Sequence, residues 1–112
     1  MNAPDEVIHQ STRLRIMSSL SAMPHTEKME FTQLRSLLQA TQGNLGAHLA
    51  TLEEAGYIAI EKDYVGKKPR TRISMTAAGR SAFNAHLAYL REIVHALASP
   101  VEATVAPRNR RR

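Results

Sequence analysis

The side chains best suited to chemistry lie between Thr41 and Gly56, in the run TQGNLGAHLATLEEAG. At 3.6 residues per turn, Gln42, Gly43, Asn44, Ala47, His48 and Thr51 share one side of a helix, and Leu45, Leu49 and Leu52 share the other. The first side is small or polar and holds no acid. Amides and hydroxyls so arranged can hydrogen-bond base edges in the major groove of a duplex, with Gln42 and Asn44 suited to adenine. His48 can donate to a base or to a phosphate. A face turned only to water ordinarily carries Glu and Lys, and here Glu53 and Glu54 come only at the far end. An ordinary solvated face would explain such a helix in isolation, so its neighbours must decide.

Those neighbours are basic. The run GKKPRTRISMTAAGR, residues 66–80, holds Lys67, Lys68, Arg70, Arg72 and Arg80 and no acid. Lys67, Lys68, Arg70 and Arg72 are expected on phosphates, with Arg70 the candidate for insertion into a minor groove. The tail RNRRR adds Arg108, Arg110, Arg111 and Arg112 to a chain of net charge +5. Clusters of this kind suit a polyanion better than a uniformly basic coat does. A hairpin made basic only for solubility is the competing reading.

Other chemistries find little support. The chain has no Cys, which removes disulfides, thiolate metal sites and Cys nucleophiles. No Gly-rich phosphate loop and no nucleophile in a recognisable setting is present, so no catalytic residue, enzyme activity or cofactor is expected. His86 and His95 stand nine residues apart on one helical stretch, roughly on opposite sides of it, so a metal would need ligands from two subunits. No metal is expected.

The elements that must position these residues follow from apolar spacing and punctuation. Val7, Ile8, Leu14, Ile16, Met17 and Leu20 predict a helical region over about 5–23, with a break near Gln10 and Ser11 where Ser11 caps. Pro24 ends it, and HTEKME is a polar connection. Thr32 caps a short helix carrying Leu34, Leu37 and Leu38, and the open amides near Thr32 and Gln33 suit a phosphate. Gln39–Thr41 turns into the polar-faced helix, which Thr41 caps and Gly56 ends. A short helix, a tight turn and an amphipathic helix make a helix-turn-helix. Two strands follow, Tyr57–Tyr64 and Thr71–Met75, with VGKKPR as the loop between them. This is the layout of a wing.

A long helix over about 77–98, capped by Thr76, carries Phe83, Leu87, Leu90, Val94 and Leu97 at heptad spacing. A second stripe holds His86, Tyr89 and Ile93. The two are wider than packing on a small domain requires, which argues for a second copy. Ser99 and Pro100 end the helix, and 99–112 read as a disordered basic tail. Residues 1–98 read as one domain. Apolar residues are 43% and aromatics 4%, so the core is built from Leu, Ile, Met and Ala. No apolar run approaches the roughly 20 residues of a membrane span, the N-terminus does not resemble a signal peptide, and a cytoplasmic protein is expected.

Three pieces together resemble a known family: N-L-x-x-H-L-x-x-L-E-x-A-G-Y at 44–57, the basic wing, and T-x-x-G-R at 76–80. With R-L-R-I-M at 13–17, they are similar to the winged helix-turn-helix proteins of bacterial transcription regulation, and most to a compact MarR-like group. The resemblance covers about residues 5–98. It implies an α+β, mostly α, winged helix fold and a homodimeric DNA-binding regulator whose terminal helices form the dimer interface. On this chain those residues would be Val7, Ile8, Phe83, His86, Leu87, Tyr89, Leu90, Ile93, Val94 and Leu97. Little chain precedes the helix-turn-helix, where larger MarR proteins form a ligand pocket, so a small-molecule effector is left open. A repressor on an inverted-repeat operator is the expected function. A ligand- or metal-responsive sensor and a protein-interaction module are the alternatives.

Overall fold

A computed structural model describes residues 3–24 and 26–109, with side chains through residue 98. The order of elements is α1 (Ser11–Ser21), β1 (Met29–Glu30), α2 (Phe31–Leu38), α3 (Gln42–Glu54), β2 (Ile58–Val65), β3 (Lys68–Met75) and α4 (Ala77–Asn109). The fold is mostly helical, with one antiparallel sheet in the order β1-β3-β2.

The chain enters through a turn. The Asp5 carboxylate accepts from the amides of Val7 (2.9 Å) and Ile8 (3.0 Å), and the His9 amide donates to the Asp5 carbonyl at 2.7 Å. The expected break before α1 is therefore present, but Gln10 caps the helix, its side chain accepting from the Arg13 amide at 2.9 Å. Ser11 is already the first helical residue.

Between α1 and α2, the polar connection contributes a third strand. Met29 pairs with Ile73 and Glu30 with Arg72, burying Met29 and leaving Glu30 exposed. Two residues are too few for an alternation signal to stand out in the sequence. Because the strand runs straight into the helix, α2 begins at Phe31. Its cap position falls to Glu30, which makes no side-chain cap bond, so Thr32 is not the cap. Gln39 ends α2 in the left-handed region (φ 53°), and its amide reaches the carbonyls of Arg35 and Ser36. That reversal leads directly to Thr41, whose hydroxyl caps α3 by accepting from the Asn44 amide at 3.1 Å.

Leu45, Leu49 and Leu52 of α3 are buried with Ile16, Met17 and Leu20 of α1, Leu34 and Leu38 of α2, and Ile58 and Ile73 of the sheet. Gly56 ends α3 at φ 82°, and the Tyr57 amide closes back on the Leu52 carbonyl at 3.0 Å. β2 and β3 pair without interruption from Ile58↔Met75 to Val65↔Lys68. The loop is thus two residues, Gly66 and Lys67, instead of the expected VGKKPR. Gly66 stands at its first position with φ 64°, a sign that favours glycine in a two-residue hairpin. Pro69 lies inside β3, beyond the reach of β1, where a missing N–H is tolerated on an open edge.

The Thr76 hydroxyl caps α4 by accepting from the Gly79 amide at 2.9 Å. The α4 backbone runs to Asn109, past the Ser99–Pro100 pair expected to end it, so 99–109 are helical where a disordered tail is expected. A proline removes one backbone donor, and α4 holds Pro100 within its length. Arg110–Arg112 lie outside the described residues.

Candidate nucleic-acid interface

α3 turns its polar side outward. Thr41, Gln42, Gly43, Asn44 and Ala47 are exposed, and His48 and Thr51 are half-buried on the same side. The Asn44 amide is spent on the cap, leaving its side chain available. The Thr51 hydroxyl donates back to the Ala47 carbonyl at 3.3 Å, which leaves Thr51 a weaker reader than its type suggests. His48 meets Arg13 of α1, with Nη1 to Nδ1 at 3.1 Å. Burial first, and then the Arg13 charge, push the His48 pKa below its ordinary value. Thr32 and Gln33 are exposed on the first turn of α2, whose amides no side chain caps.

Beside α3 the hairpin stands off, leaving an open groove of about 510 Å³ lined by Gln42, Gly43, Gly46, Ala50 and Glu53 on one wall. Ile60, Lys62 and Thr71 form the other wall. A Cβ built on Gly43 or Gly46 meets nothing within 4 Å. Gly46 therefore makes no close approach to α2.

The wing's charge is arranged differently from its sequence. Arg70 makes a two-pronged pair with Asp63, at 2.9 and 2.8 Å, and Arg72 reaches Glu61 at 2.6 Å and Asp63 at 3.2 Å. These are direct cross-strand partners, Asp63↔Arg70 and Glu61↔Arg72. Hydrogen bonding to Arg70 holds the Asp63 carboxyl below its usual range. Glu61 is lowered too, first by its bond to Lys28 at 2.9 Å. Arg70 is consequently not a free arm for a minor groove in this arrangement. Lys67 and Lys68 at the exposed tip have no acidic partner among the described residues. Tyr64 and Val65 stand beside them, 70% and 55% exposed, tip residues that the sequence pattern did not single out.

The expected dimer residues divide into two groups. Ile8, Phe83 and His86 are buried inside the subunit, so they are core here and not free surface. Val7 and Leu87 pack against that core. Tyr89 and Leu90 are half-buried, and Ile93, Val94 and Leu97 are 37%, 65% and 71% exposed. His86 Nδ1 accepts from the Asp5 amide at 3.1 Å, and the Tyr57 hydroxyl donates to the Asp5 carboxylate at 2.6 Å. That bond, with burial and the Asp5 charge, pushes the Tyr57 pKa up to about 12. His86 is lowered, first by burial and then by His9, with Asp5 opposing. Among the described residues no three His, Cys, Asp or Glu side chains gather as a metal site, and no helix is long and apolar enough to cross a membrane.

Residues 12–94 match the family of winged helix DNA-binding domains. The chain belongs to that family. The winged helix protein is 32% identical over 82 residues to an uncharacterized protein of Methanocaldococcus jannaschii, covering 73% of this chain and 86% of the other. Among solved structures it is similar to a transcriptional regulator homologue from Pyrococcus horikoshii OT3. That match has a TM-score of 0.75 and 28% identity over 83% of this chain and 89% of that one. It also shares the fold of a MarR-like transcriptional regulator from Thermotoga maritima. There the TM-score is 0.60 and the identity 18%, over 88% of this chain and 68% of the other. The matched family is one of DNA-binding domains, and the Pyrococcus and Thermotoga proteins are a transcriptional regulator homologue and a MarR-like transcriptional regulator.

Sequence reading gave Arg13 no role beyond its place in R-L-R-I-M. It lies 35 residues from His48, and only the packing of α1 against α3 brings the two together. No periodicity in the chain marks it.

Proposed function

We propose that this winged helix protein is a sequence-specific regulator that binds an inverted-repeat operator as a homodimer and represses by excluding polymerase. The observation that supports this best is the acid-free polar side of α3, exposed next to a hairpin whose tip carries two lysines with no acidic partner among the described residues. Asn44 and Gln42 would read bases, and Thr32, Gln33, Thr41, Lys67 and Lys68 would lie against phosphates. Arg70 and Arg72 would stiffen the hairpin through Asp63 and Glu61 and leave it net positive. Ile93, Val94 and Leu97 on α4 give a second copy an apolar surface, and a two-fold axis there would present two α3 helices to half-sites about one turn of DNA apart.

Fluorescence anisotropy tests this, using the duplex upstream of the protein's own gene against a scrambled duplex over a range of salt. Asn44→Ala is expected to cost about 1–3 kcal/mol on the upstream duplex and little on the scrambled one. Joint Lys67→Ala and Lys68→Ala substitution should weaken both equally and reduce the salt slope by about 2. If Asn44→Ala and the joint lysine variant showed the same pattern of loss across the two duplexes, this division of labour would be refuted.

A further inference from the structure

Arg13 and His48 carry an implication about specificity that rests on the reading of α3 as a DNA-contact helix. An arginine side chain has only donors, so the nitrogen it meets must accept. The Arg13 Nη1 lies 3.1 Å from His48 Nδ1, which makes Nδ1 the unprotonated nitrogen of the ring. A neutral imidazole with an accepting Nδ1 carries its proton on Nε2. An imidazolium would set N–H against N–H at this contact.

The guanidinium cannot easily swing away. Its Nε donates to the Val7 carbonyl at 2.6 Å, and the Val7 amide is itself fixed by the Asp5 carboxylate at 2.9 Å. The Arg13 amide is held by Gln10 at 2.9 Å, at the start of α1. The lowered pKa of His48, caused by burial and then by Arg13, agrees with a ring kept neutral. Among the described residues its Nε2 has no partner, and it is not sealed off from solvent. His48 follows Asn44 by four residues and precedes Thr51 by three, so it shares their side of α3.

We propose that Arg13 is a positioning residue that fixes His48 as a neutral Nε2–H donor, so that His48 selects a base presenting an acceptor in the major groove. Guanine, with N7 and O6 side by side, ranks first. Thymine offers O4, and adenine sets an amino group beside N7. Cytosine presents only a donor and ranks last.

Two measurements on the full chain test this. In nitrogen-15 spectra of the free protein, His48 should show the Nε2–H form at pH 7 and titrate below a free histidine. Arg13→Met should raise that titration point and mix the tautomers, while Arg13→Lys, which can still donate to Nδ1, should restore the Nε2–H form. A dominant Nδ1–H form in the wild type, or a His48 titration unchanged by Arg13→Met, overturns the proposal whether or not DNA is bound.

The second measurement starts from a duplex selected out of a random pool, followed by every single-base variant of it. His48→Ala should flatten preference at one base pair per half-site, with guanine favoured there over cytosine by about tenfold in the wild type. Arg13→Met should flatten that same position and leave the salt slope unchanged. Uniform weakening of all duplexes with a lower salt slope would make Arg13 a phosphate contact and overturn the positioning role. Spectra as expected, but no selective duplex, would refute the reading of α3 as a DNA-contact helix and the base-reading role with it.

Discussion

Alanine at Gly43 should make the protein more stable and a poorer DNA binder. Gly43 lies in the first turn of α3, exposed, and a Cβ added there meets nothing within 4 Å. Glycine in a helix interior costs about 0.8–1.0 kcal/mol relative to alanine, and less near an end. Gly46, also free of neighbours within 4 Å, sits a turn deeper and should gain the fuller amount. With a shift of about 4–8 °C per kcal/mol for a domain near this size, Gly46→Ala should raise Tm by about 4–8 °C. Gly43→Ala should raise it by roughly half of that. If Gly43 lies against bases, the added methyl overpacks the contact at a cost of about 1–3 kcal/mol in binding. Thermal melts and anisotropy titrations on the same samples separate the two effects. A Gly43→Ala variant that melts higher and binds the selected duplex with unchanged Kd would refute placement of this turn against DNA. A variant that melts lower would refute the reading of open space around it.

Gly79→Ala should act in the opposite sense. Its Cβ would fall 2.0 Å from the Tyr57 carbonyl oxygen, so backbone must move, at about 3 kcal/mol by analogy with overpacked cores. Chemical denaturation would show it, and a loss under about 1 kcal/mol would contradict the close approach. Stability should also fall in mild acid. His48 and His86 both titrate below their ordinary value in the folded protein, so as pH falls through about 6.5 the unfolded chain takes up protons first. Their contribution is complete above that pH, declines below it, and levels off once the folded form titrates. Urea midpoints at pH 7.5 and pH 5 test the sign. In His86→Gln the decline should be smaller, and a decline of unchanged size would remove His86 as a cause.

What the sequence made legible was local. Leu45, Leu49 and Leu52 announced the buried side of α3, Thr41 and Thr76 their caps, and Gly56 its end, because each depends on residues within a turn or two. The wing was legible as two strands, but not its loop length, since Pro69 reads as a breaker unless the open edge of β3 is known. Nor was its charge legible. Glu61 and Asp63 lie outside the basic run and become partners of Arg72 and Arg70 only through the register of the hairpin. Ile8, Phe83 and His86, expected at an interface, lie in the subunit's own core for a related reason. A stripe containing Phe83 and His86 looks the same whether its cover is the subunit's own core, as it is here, or a second copy. The Arg13–His48 contact belongs to the packing of two helices, which spacing along either helix cannot reveal.

The placement of the wing relative to α3 depends on a few bonds at one junction. The Thr76 hydroxyl donates to the Gly56 carbonyl at 2.6 Å while accepting from Gly79, and the Thr76 amide donates to the Tyr57 carbonyl at 3.1 Å. Gly56 and Tyr57 close α3, and Thr76 and Gly79 open α4, so the hairpin leaves and returns at points bonded to each other. Only a residue without a Cβ lets the first turn of α4 sit on the Tyr57 backbone. The T-x-x-G spacing thus does more than cap a helix. It brings the two feet of the wing together against the end of α3, and so sets how far the lysines at the tip stand from the polar side of that helix. A shift at this junction would move the tip relative to α3 without altering a single residue expected to touch DNA.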